Sequence, residues 1–329
     1  MALNGERIML QIFTLTLAPS LDCATTTPRI YPEGKLRCTT PVFEPGGGGI
    51  NVARAIVHLG GEASAIFPTG GPTGEHLAEL LKQEGVGTDT VRTQDWTRQN
   101  LHVHADNSGE QYRFVMPGAR LTESELEQLL DRVLKLPSGS ILVISGSLPP
   151  GCDVDKLTHL VKQSQANGLR CIIDSSGPAL DACLKLGSLA LVKPNQNELS
   201  ALIGRPLESP DDVYNAASAL VKKGATERVV VSLGPQGALG VDHKGRIQFV
   251  PPPVKKMSTV GAGDSMVGAM ALKLAAGAEL DEMVRYGVAA GTAATLNHGT
   301  RLCTREDTQR LYDYILQSNM VSHDNITPK

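Results

Sequence analysis

The stretch around which this chain is organised reads Ser258-Thr259-Val260-Gly261-Ala262-Gly263-Asp264-Ser265-Met266-Val267-Gly268-Ala269-Met270. Two glycines, one carboxylate and a run of small and apolar residues predict a tight turn that opens into a buried helix. Gly261 and Gly263 let backbone N–H groups approach a ligand closely, and together with the helix dipole these groups form an anion site. Asp264 lies in the first helical turn, where an ionised carboxylate is favoured.

A base beside an anion site is what phosphoryl transfer to a hydroxyl requires. One group takes the proton, and the N–H donors hold the developing charge. The alternative is that Asp264 only caps the helix, because aspartate is common near helix starts. The stretch alone leaves both interpretations open.

Length and composition indicate a cytoplasmic α/β protein. The 329 residues suffice for one large α/β domain with an inserted subdomain, or for two domains. The six cysteines are scattered without a CxxC pair, which indicates reduced thiols and argues against a zinc site. A net charge of −3 offers no basic face for nucleic acid. The apolar run from Ile8 to Ala18 is too short to span a membrane and is interpreted as a first core strand.

The second half of the chain alternates between helices and apolar strands. The strands are predicted at residues 141–144, 169–174, 189–192 and 228–233. Such strands separated by helices predict a parallel sheet that is covered on both faces. Because a polar loop follows each strand, these loops converge on one edge of the sheet, where a ligand can bind. Two further strands, at 238–242 and 246–250, are predicted beyond them.

A small second sheet interrupts this alternation. Residues 97–105 and 111–115 alternate in polarity and are joined by Asp106-Asn107-Ser108-Gly109, which predicts a hairpin. The segment 35–43 also alternates and is interpreted as an exposed strand of the same small sheet. Arg98 either belongs to the solvated side of the hairpin or, being next to a loop, binds a phosphate through its guanidinium.

Four glycines, Gly46 to Gly49, run directly into an amphipathic helix. Since consecutive glycines are entropically costly, we expect a ligand to approach the backbone here, with a flexible hinge as the alternative. The spacing is not GxGxxG, which argues against a dinucleotide site. Asn51 either donates to a sugar hydroxyl or caps the helix. Asp22, just past the first strand, either binds a polyol or forms a turn.

Together these motifs resemble the ribokinase-like (pfkB) family of carbohydrate kinases. Gly46 to Arg54 and Ser258 to Gly268 are similar to the two family signatures. Lys193-Pro194-Asn195-Gln196-Asn197-Glu198 is similar to the N-x-x-E motif, and Ser232 to Gly237 to the nucleotide loop. Their order and spacing agree with the family from about residue 8 to 316. The resemblance implies an α/β fold, a ribokinase-like three-layer αβα sandwich with a mostly parallel central sheet and a small β-sheet lid.

The resemblance also implies a division of the chain into a nucleotide- and sugar-binding domain, a lid through which two subunits dimerise, and a flexible C-terminal tail. The α/β domain is expected at 8–21, 45–94 and 118–317, the lid at 22–44 and 95–117, and the tail at 318–329.

Within the family, stretches such as Leu15 to Asp22 and Trp96 to His104 look most like enzymes that act on fructose 6-phosphate. The implied reaction is glycolytic: ATP phosphorylates the 1-hydroxyl of that sugar, giving fructose 1,6-bisphosphate and ADP. The alternatives within the family are kinases of fructose 1-phosphate or tagatose 6-phosphate. A non-catalytic sugar or nucleotide sensor on the same fold is disfavoured, because Asp264, Asn195 and Glu198 are all present.

The resemblance assigns expected roles to individual positions. Asp264 resembles the general base, and Gly261, Ala262 and Gly263 resemble the anion hole. The positions that look like the sugar-phosphate pocket are Ser20, Asp22, Gly47, Gly48, Gly49, Ile50, Asn51, Arg98 and Ser147.

A second set of positions is similar to the family's nucleotide site. These positions are Lys193, Asn195, Ser232, Gly234, Gly237, Lys256, Val288 and Thr292. At Lys255-Lys256-Met257 the chain departs from the family, because an extra lysine and a methionine replace small polar residues. Lys35 of the lid is similar to a lysine that reaches the active site of the neighbouring subunit in a homodimer. A tetramer with ATP is implied in the same way.

Two metal ions are implied. Asn195 and Glu198 resemble the pair that organises magnesium, largely through water. The loop similar to the family's potassium site, which binds mostly through backbone carbonyls, comprises Ser258, Val260, Ala294, Asn297, Gly299 and Arg301.

Overall fold

The structure, a computed structural model, describes residues 9–297 and 299–324, with side chains up to residue 318. Its α-helices are α1 Gly48–His58, α2 Gly71–Gln83, α3 Glu123–Leu134, α4 Val154–Ala166, α5 Gly177–Leu186, α6 Gln196–Ile203, α7 Pro210–Lys222, α8 Ala262–Ala275, α9 Leu280–Thr295 and α10 Arg305–Asp324. Its strands are β1 Ile12–Leu15, β2 Ser20–Thr27, β3 Val42–Gly46, β4 Ser64–Thr69, β5 Gly87–Arg92, β6 Arg98–Ala105, β7 Gln111–Phe114, β8 Ile141–Ser145, β9 Arg170–Asp174, β10 Leu191–Val192, β11 Val229–Ser232, β12 Ala238–Asp242 and β13 Gly245–Phe249.

The large sheet has nine strands among the described residues, in the order β13-β12-β11-β10-β9-β8-β1-β4-β5. The strands from β11 to β5 are parallel, whereas β12 and β13 are antiparallel to their neighbours. The parallel register places Leu15 of β1 opposite Ile144 of β8, so the ends of these strands lie side by side. The carboxyl ends of β1, β8, β9 and β10 therefore form a common edge.

Helices cover both faces of the large sheet. One hydrophobic cluster joins the sheet to α1, α2, α8, α9 and α10, and a second joins it to α3 through α7. All five residues of β8 are buried, as a strand covered on both faces requires. The predicted three-layer αβα sandwich is confirmed.

The small sheet has the order β3-β2-β6-β7. The predicted hairpin is confirmed, since β6 and β7 pair antiparallel from Leu101–Phe114 to His104–Gln111. β2 leaves the end of β1 and pairs in parallel with β6, which places Ser20 opposite Arg98. The small sheet thus begins where the large sheet ends, and the two meet at the predicted ligand edge.

The strand expected over residues 35–43 begins only at Val42, and residues 35–41 form no regular strand. Thr39 instead serves the edge of β2: its carbonyl accepts from Thr25 Oγ1 at 2.8 Å, and its hydroxyl accepts from the Thr26 N–H at 3.2 Å. Pro41 has no N–H to continue a ladder. The Thr39 N–H also donates to Thr26 O at 3.0 Å, but this single backbone bond does not extend into a ladder. The segment thus touches the edge of β2 without forming a strand.

At the C-terminus, α10 continues to Asp324, past the predicted domain end at residue 317. Residue 8 of the predicted domain and residues 325–329 of the predicted tail lie outside the described residues. Over the part of the chain that the structure describes, no helix combines the length and apolarity needed to cross a bilayer.

Candidate active site

The organising stretch forms the turn and helix that its sequence predicts. Gly261 precedes α8 in the left-handed conformation with φ of 73°, which glycine adopts without strain. A Cβ at this position would come within 2.5 Å of Leu302 Cδ2, a side-chain end that can move, so the conformation rather than space requires glycine. Asp264 is the acidic residue of the first turn of α8, and Gly261, Ala262 and Gly263 lie beside it. A base and a helix N-terminus are therefore adjacent.

Asp264 is surrounded by groups from other elements. Asn51 Nδ2, on α1, donates to its Oδ2 at 2.9 Å. Burial raises the pKa of Asp264 to about 7, and repulsion from Asp174 adds to the rise, while Asn51, Lys193 and Arg54 act in the opposite direction. The sequence predicted an ionised carboxylate because Asp264 lies in the first helical turn. With a pKa of about 7, this carboxyl is only partly ionised at neutral pH. A pKa near the working pH suits a general base.

Lys193, after β10, is 6% exposed and forms an ion pair with Asp174 at the end of β9, with 3.2 Å between Nζ and Oδ1. Burial alone would lower the pKa of Lys193, but the attraction and hydrogen bond of Asp174 raise it, so the ammonium stays charged. A Cβ on Gly263 would lie 3.5 Å from Lys193 Nζ. A buried positive charge thus stands beside the N-terminus of α8, where a phosphate would sit.

The four-glycine loop is packed too closely for side chains. Gly47 has φ of 113° and precedes α1. A Cβ on Gly46 would come within 2.5 Å of Asp22 Oδ2, one on Gly49 within 2.6 Å of Thr16 Oγ1, and one on Gly48 would overlap Ser145 Oγ. The glycines therefore allow the loop to lie against β1, β2 and β8, which fits a backbone cradle better than a flexible hinge.

The predicted sugar-pocket residues meet where the two sheets join. Asp22 Oδ1 accepts from Ser20 Oγ at 2.7 Å and from Asn100 Nδ2 at 2.8 Å. Arg98 donates from Nη1 to Met116 O and from Nη2 to Ala18 O, while its buried Nε has no partner among the described atoms. Burial lowers the pKa of Arg98, although Asp22 opposes this shift. The unpartnered Nε is a donor available to a ligand.

Two members of the predicted sugar pocket differ from the rest. The Ile50 side chain is fully buried in the core, so only the backbone of this residue is available to a ligand. Ser147 follows β8 and is exposed.

Most predicted nucleotide residues line one cavity of about 370 Å³. The cavity extends from the turn after β11, past Pro251 to Pro253, to Gly263 at the N-terminus of α8. The predicted nucleotide residues in its wall are Ser232, Gly234, Gly237, Lys256, Val288 and Thr292. Lys256 is included although the sequence around it departs from the family pattern.

Asn195 and Glu198, the predicted magnesium pair, form a capping box on α6. Glu198 N donates to Asn195 Oδ1 at 2.9 Å, and Asn195 N donates to Glu198 Oε2 at 2.8 Å. Glu198 Oε1 has no hydrogen bond within the described part of the chain. A carboxylate oxygen and an amide oxygen suit magnesium that keeps most of its waters, so the donor set fits. Among the described residues, no cluster of three or more His, Cys, Asp or Glu could hold a metal without such waters.

The predicted potassium loop is brought together in part. Ser258 Oγ donates to Gly299 O at 2.7 Å and accepts from Val260 N at 3.2 Å. The Ala294 carbonyl accepts from Asn297 N at 3.2 Å, and Asn297 Nδ2 donates to Leu302 O at 2.9 Å. Backbone carbonyls of this loop face the start of the organising stretch, as an oxygen-rich cation site needs.

A second cavity, of about 470 Å³, lies between the small sheet and this loop. Arg301, His102 and Arg113 are in its wall. Lys35 is not: it lies in the exposed part of residues 35–41, where its carbonyl accepts from the Tyr31 hydroxyl. No contact within the described residues joins Lys35 to the site of its own chain.

Sequence reasoning missed Asp174, Arg54 and Asn100. Asp174 ends a predicted core strand, so the rule that singled out Asp22 would have found it. Arg54 and Asn100 carry no such signal, because their roles depend on contacts between elements far apart in the chain.

Known proteins resemble this chain over most of its length. The profile of the pfkB family of carbohydrate kinases matches residues 12–307. The chain is 68% identical to ATP-dependent 6-phosphofructokinase isozyme 2 of Escherichia coli over 307 residues, which are 93% of this chain and 99% of that protein. It is 30% identical to D-tagatose-1-phosphate kinase of Bacillus licheniformis over 88% of this chain and 93% of that one.

Solved structures agree with these sequence matches. Phosphofructokinase-2 from Escherichia coli in complex with potassium has a TM-score of 0.91 and 68% identity. The same enzyme in complex with fructose 6-phosphate has a TM-score of 0.90 and 66% identity, and its tetrameric inhibited form a TM-score of 0.90 and 67% identity. Each comparison covers 94% of this chain and 100% of the other.

Proposed function

The chain belongs to the pfkB family of carbohydrate kinases, and from that membership we propose that it is a glycolytic 6-phosphofructokinase of the cytoplasm. It transfers the terminal phosphoryl group of ATP to the 1-hydroxyl of fructose 6-phosphate, giving fructose 1,6-bisphosphate and ADP. One observation carries the proposal: the Asp264 carboxyl stands in the first turn of α8, next to Gly263 in the wall of the nucleotide cavity, and accepts a hydrogen bond from Asn51 at the glycine loop.

In the reaction, Asp264 takes the proton of the sugar 1-hydroxyl as its oxygen attacks the phosphoryl group. The N–H groups of Gly261, Ala262 and Gly263 stabilise the charge on that group, and the Lys193 ammonium neutralises the phosphates beside them. ADP leaves along the nucleotide cavity. This chemistry needs positioning and charge stabilisation rather than a covalent nucleophile, and the residues named above provide both.

The magnesium and potassium ions are assigned to the residues that the family resemblance indicated. Asn195 and Glu198 would hold magnesium, which would reduce the charge of the nucleotide phosphates. The loop of Ser258, Val260 and Gly299 would hold potassium. The structure of the Escherichia coli relative in complex with potassium, at 68% identity, supports potassium as a ligand of this chain.

The sugar acceptor is tested by a panel of sugar phosphates in a coupled assay for ADP release. We expect kcat/KM to be highest with fructose 6-phosphate, because Asp22, Ser20 and Asn100 form a polar cluster at the mouth of the sugar pocket and Arg98 Nε is available to the phosphate. A higher kcat/KM with fructose 1-phosphate or a tagatose phosphate would overturn the choice of acceptor but not the family. The relative named D-tagatose-1-phosphate kinase makes this comparison necessary.

The assembly is a homodimer in which the two lids pair, and Lys35 contributes to the partner's site. An exposed sheet invites such pairing, and Val42, Phe114 and Val115 of the lid are 58%, 49% and 64% exposed. ATP promotes association to a tetramer, in line with the tetrameric inhibited form of the Escherichia coli relative.

Light scattering is expected to give about twice the 34.9 kDa of one chain without nucleotide, and about four times that mass with ATP. A particle of one chain under all conditions contradicts the dimer. A dimer that ATP leaves unchanged contradicts the tetramer alone.

A further inference from the structure

Arg54 is a buried cation that joins α1 to two other parts of the molecule, β3 and the end of α2. Its side chain is 4% exposed. Nε and Nη2 donate to both carboxylate oxygens of Glu84, at 2.9 to 3.1 Å, and Nη1 donates to Pro45 O, in β3 next to the glycine loop, at 2.8 Å. Glu44 Oε1, also in β3, lies 4.0 Å from Nη2. Such bidentate pairing fixes the plane of the guanidinium.

The same guanidinium touches the residue that holds Asp264. Arg54 Nη1 lies 3.4 Å from Asn51 Oδ1, one helical turn earlier on α1. Asn51 Nδ2 then points to the opposite side and donates to Asp264 Oδ2 at 2.9 Å. If the amide were turned by 180°, its oxygen would face the carboxylate and its NH2 group would face the guanidinium. Both contacts would then be repulsive, so Arg54 selects one orientation.

We propose that Arg54 is a positioning residue for phosphoryl transfer: it fixes the Asn51 amide so that the NH2 group is aimed at Asp264 and holds that carboxylate in its reactive, ionised form. The inference rests on the proposed function, because it requires Asp264 to be the base. It goes beyond that function because it gives α1 a second role: besides following the glycine loop, this helix positions the Asn51 amide through Arg54.

Glu84 keeps Arg54 in place. It is the C-cap of α2, and besides the guanidinium it contacts His58 Nε2 at 3.1 Å. Burial alone would raise the pKa of Glu84, but the hydrogen bonds from His58 and Arg54 lower it to about 2, so it remains a carboxylate throughout the working range. The pair therefore does not titrate while Asp264 does.

The groups that face Asp264 decide the direction of the expected effect. Asn51 and Arg54 approach from α1 and Lys193 from the end of β10, and all three lower its pKa. Asp174, from the end of β9, raises it. The base is active when deprotonated, so turnover falls as pH drops through the pKa of Asp264. Removing Arg54 raises that pKa, and the acid limb of the pH–kcat profile moves to higher pH.

The experiment compares pH–kcat profiles of wild type, Arg54→Met and Arg54→Lys. We expect the acid limb near pH 7 in wild type, about one pH unit higher in Arg54→Met, and between the two in Arg54→Lys, which keeps the charge. At pH 7 the Met variant then turns over about fivefold more slowly and recovers at alkaline pH. An unmoved acid limb overturns the proposal even if turnover is lower.

Two further variants separate positioning from folding. Arg54→Met leaves Glu84 buried without its cation, whereas Arg54→Met with Glu84→Met removes both charges and keeps the packing. The acid limb must move in this double variant as well. Arg285→Met is the matched control: this arginine is 14% exposed and paired with Asp281 and Glu282 on α9, so its loss lowers stability without moving the limb.

A double-mutant cycle tests the route through Asn51. Adding Arg54→Met to Asn51→Ala is expected to move the acid limb less than the same change does in wild type. Equal shifts in both backgrounds overturn the route. Asp264→Asn separates a failure of the proposed function from a failure of this inference. If that variant keeps its turnover, the proposed base is wrong. If it is inactive and the Arg54 variants behave like wild type, only the inference about Arg54 fails.

Discussion

Replacing Asp264 by asparagine lowers turnover about 10²–10⁴-fold, the usual contribution of a general base. Asparagine has nearly the same shape and can still accept the hydrogen bond from Asn51 Nδ2, so the turn and α8 are retained. What it cannot do is take the proton of the sugar hydroxyl. The effect therefore falls on kcat, while the KM for ATP changes little.

Asp281→Asn is the matched control for this variant. Asp281 also lies in the first turn of a helix, α9, with its side chain 54% exposed and paired with Arg285. The same chemical change there removes the dipole contribution of a first-turn acid without touching the site, so turnover stays near that of wild type. Turnover of Asp264→Asn within tenfold of wild type would remove Asp264 from the role of base.

The sequence predicts those features of the fold and the site that depend on local residue patterns. The apolar runs of β8 and β9 predict core strands, and in the structure all five residues of β8 and the three central residues of β9 are buried. Gly261 is predictable since the turn before α8 needs a left-handed residue. The nucleotide positions came from the family resemblance rather than from local pattern, and the structure places six of them, from the turn after β11 to α9, in the wall of one cavity.

Other features depend on contacts that no local pattern encodes. The alternation over residues 35–43 looked like a strand, yet before Val42 this segment forms none, and Thr39 contacts the edge of β2 through its hydroxyl and through its own N–H and C=O. The pKa of Asp264 is set by burial and by Asp174, which lies 90 positions earlier in the chain. Arg54 meets Glu84 through the packing of α1 against the end of α2. Charge balance in a buried site is a property of the assembled fold.

Replacing Arg98 by alanine weakens the binding of the sugar phosphate by about 1.5–3 kcal/mol, the scale of a charge-assisted hydrogen bond. This corresponds to a KM for fructose 6-phosphate about 10–150-fold higher. The reason is geometric: Arg98 begins β6 opposite Ser20, and its two Nη groups are fixed by the carbonyls of Ala18 and Met116. Nε has no partner in the described part of the chain and is already desolvated, so it remains for a ligand together with the second N–H of each Nη.

A split between the two Michaelis constants checks this role. Arg98→Ala raises the KM for the sugar phosphate and leaves that for ATP within about threefold, because the nucleotide cavity lies on the other side of Asp264. Arg98→Lys restores part of the affinity, since it keeps the charge but not the fixed plane of the guanidinium. Arg92→Ala is the control, because that side chain is 89% exposed and forms an ion pair with Glu75 on the surface. An unchanged KM for fructose 6-phosphate in Arg98→Ala would show that Arg98 joins the two sheets without binding the substrate. Equal increases in the KM values for fructose 6-phosphate and ATP would show that its loss distorts the whole cleft.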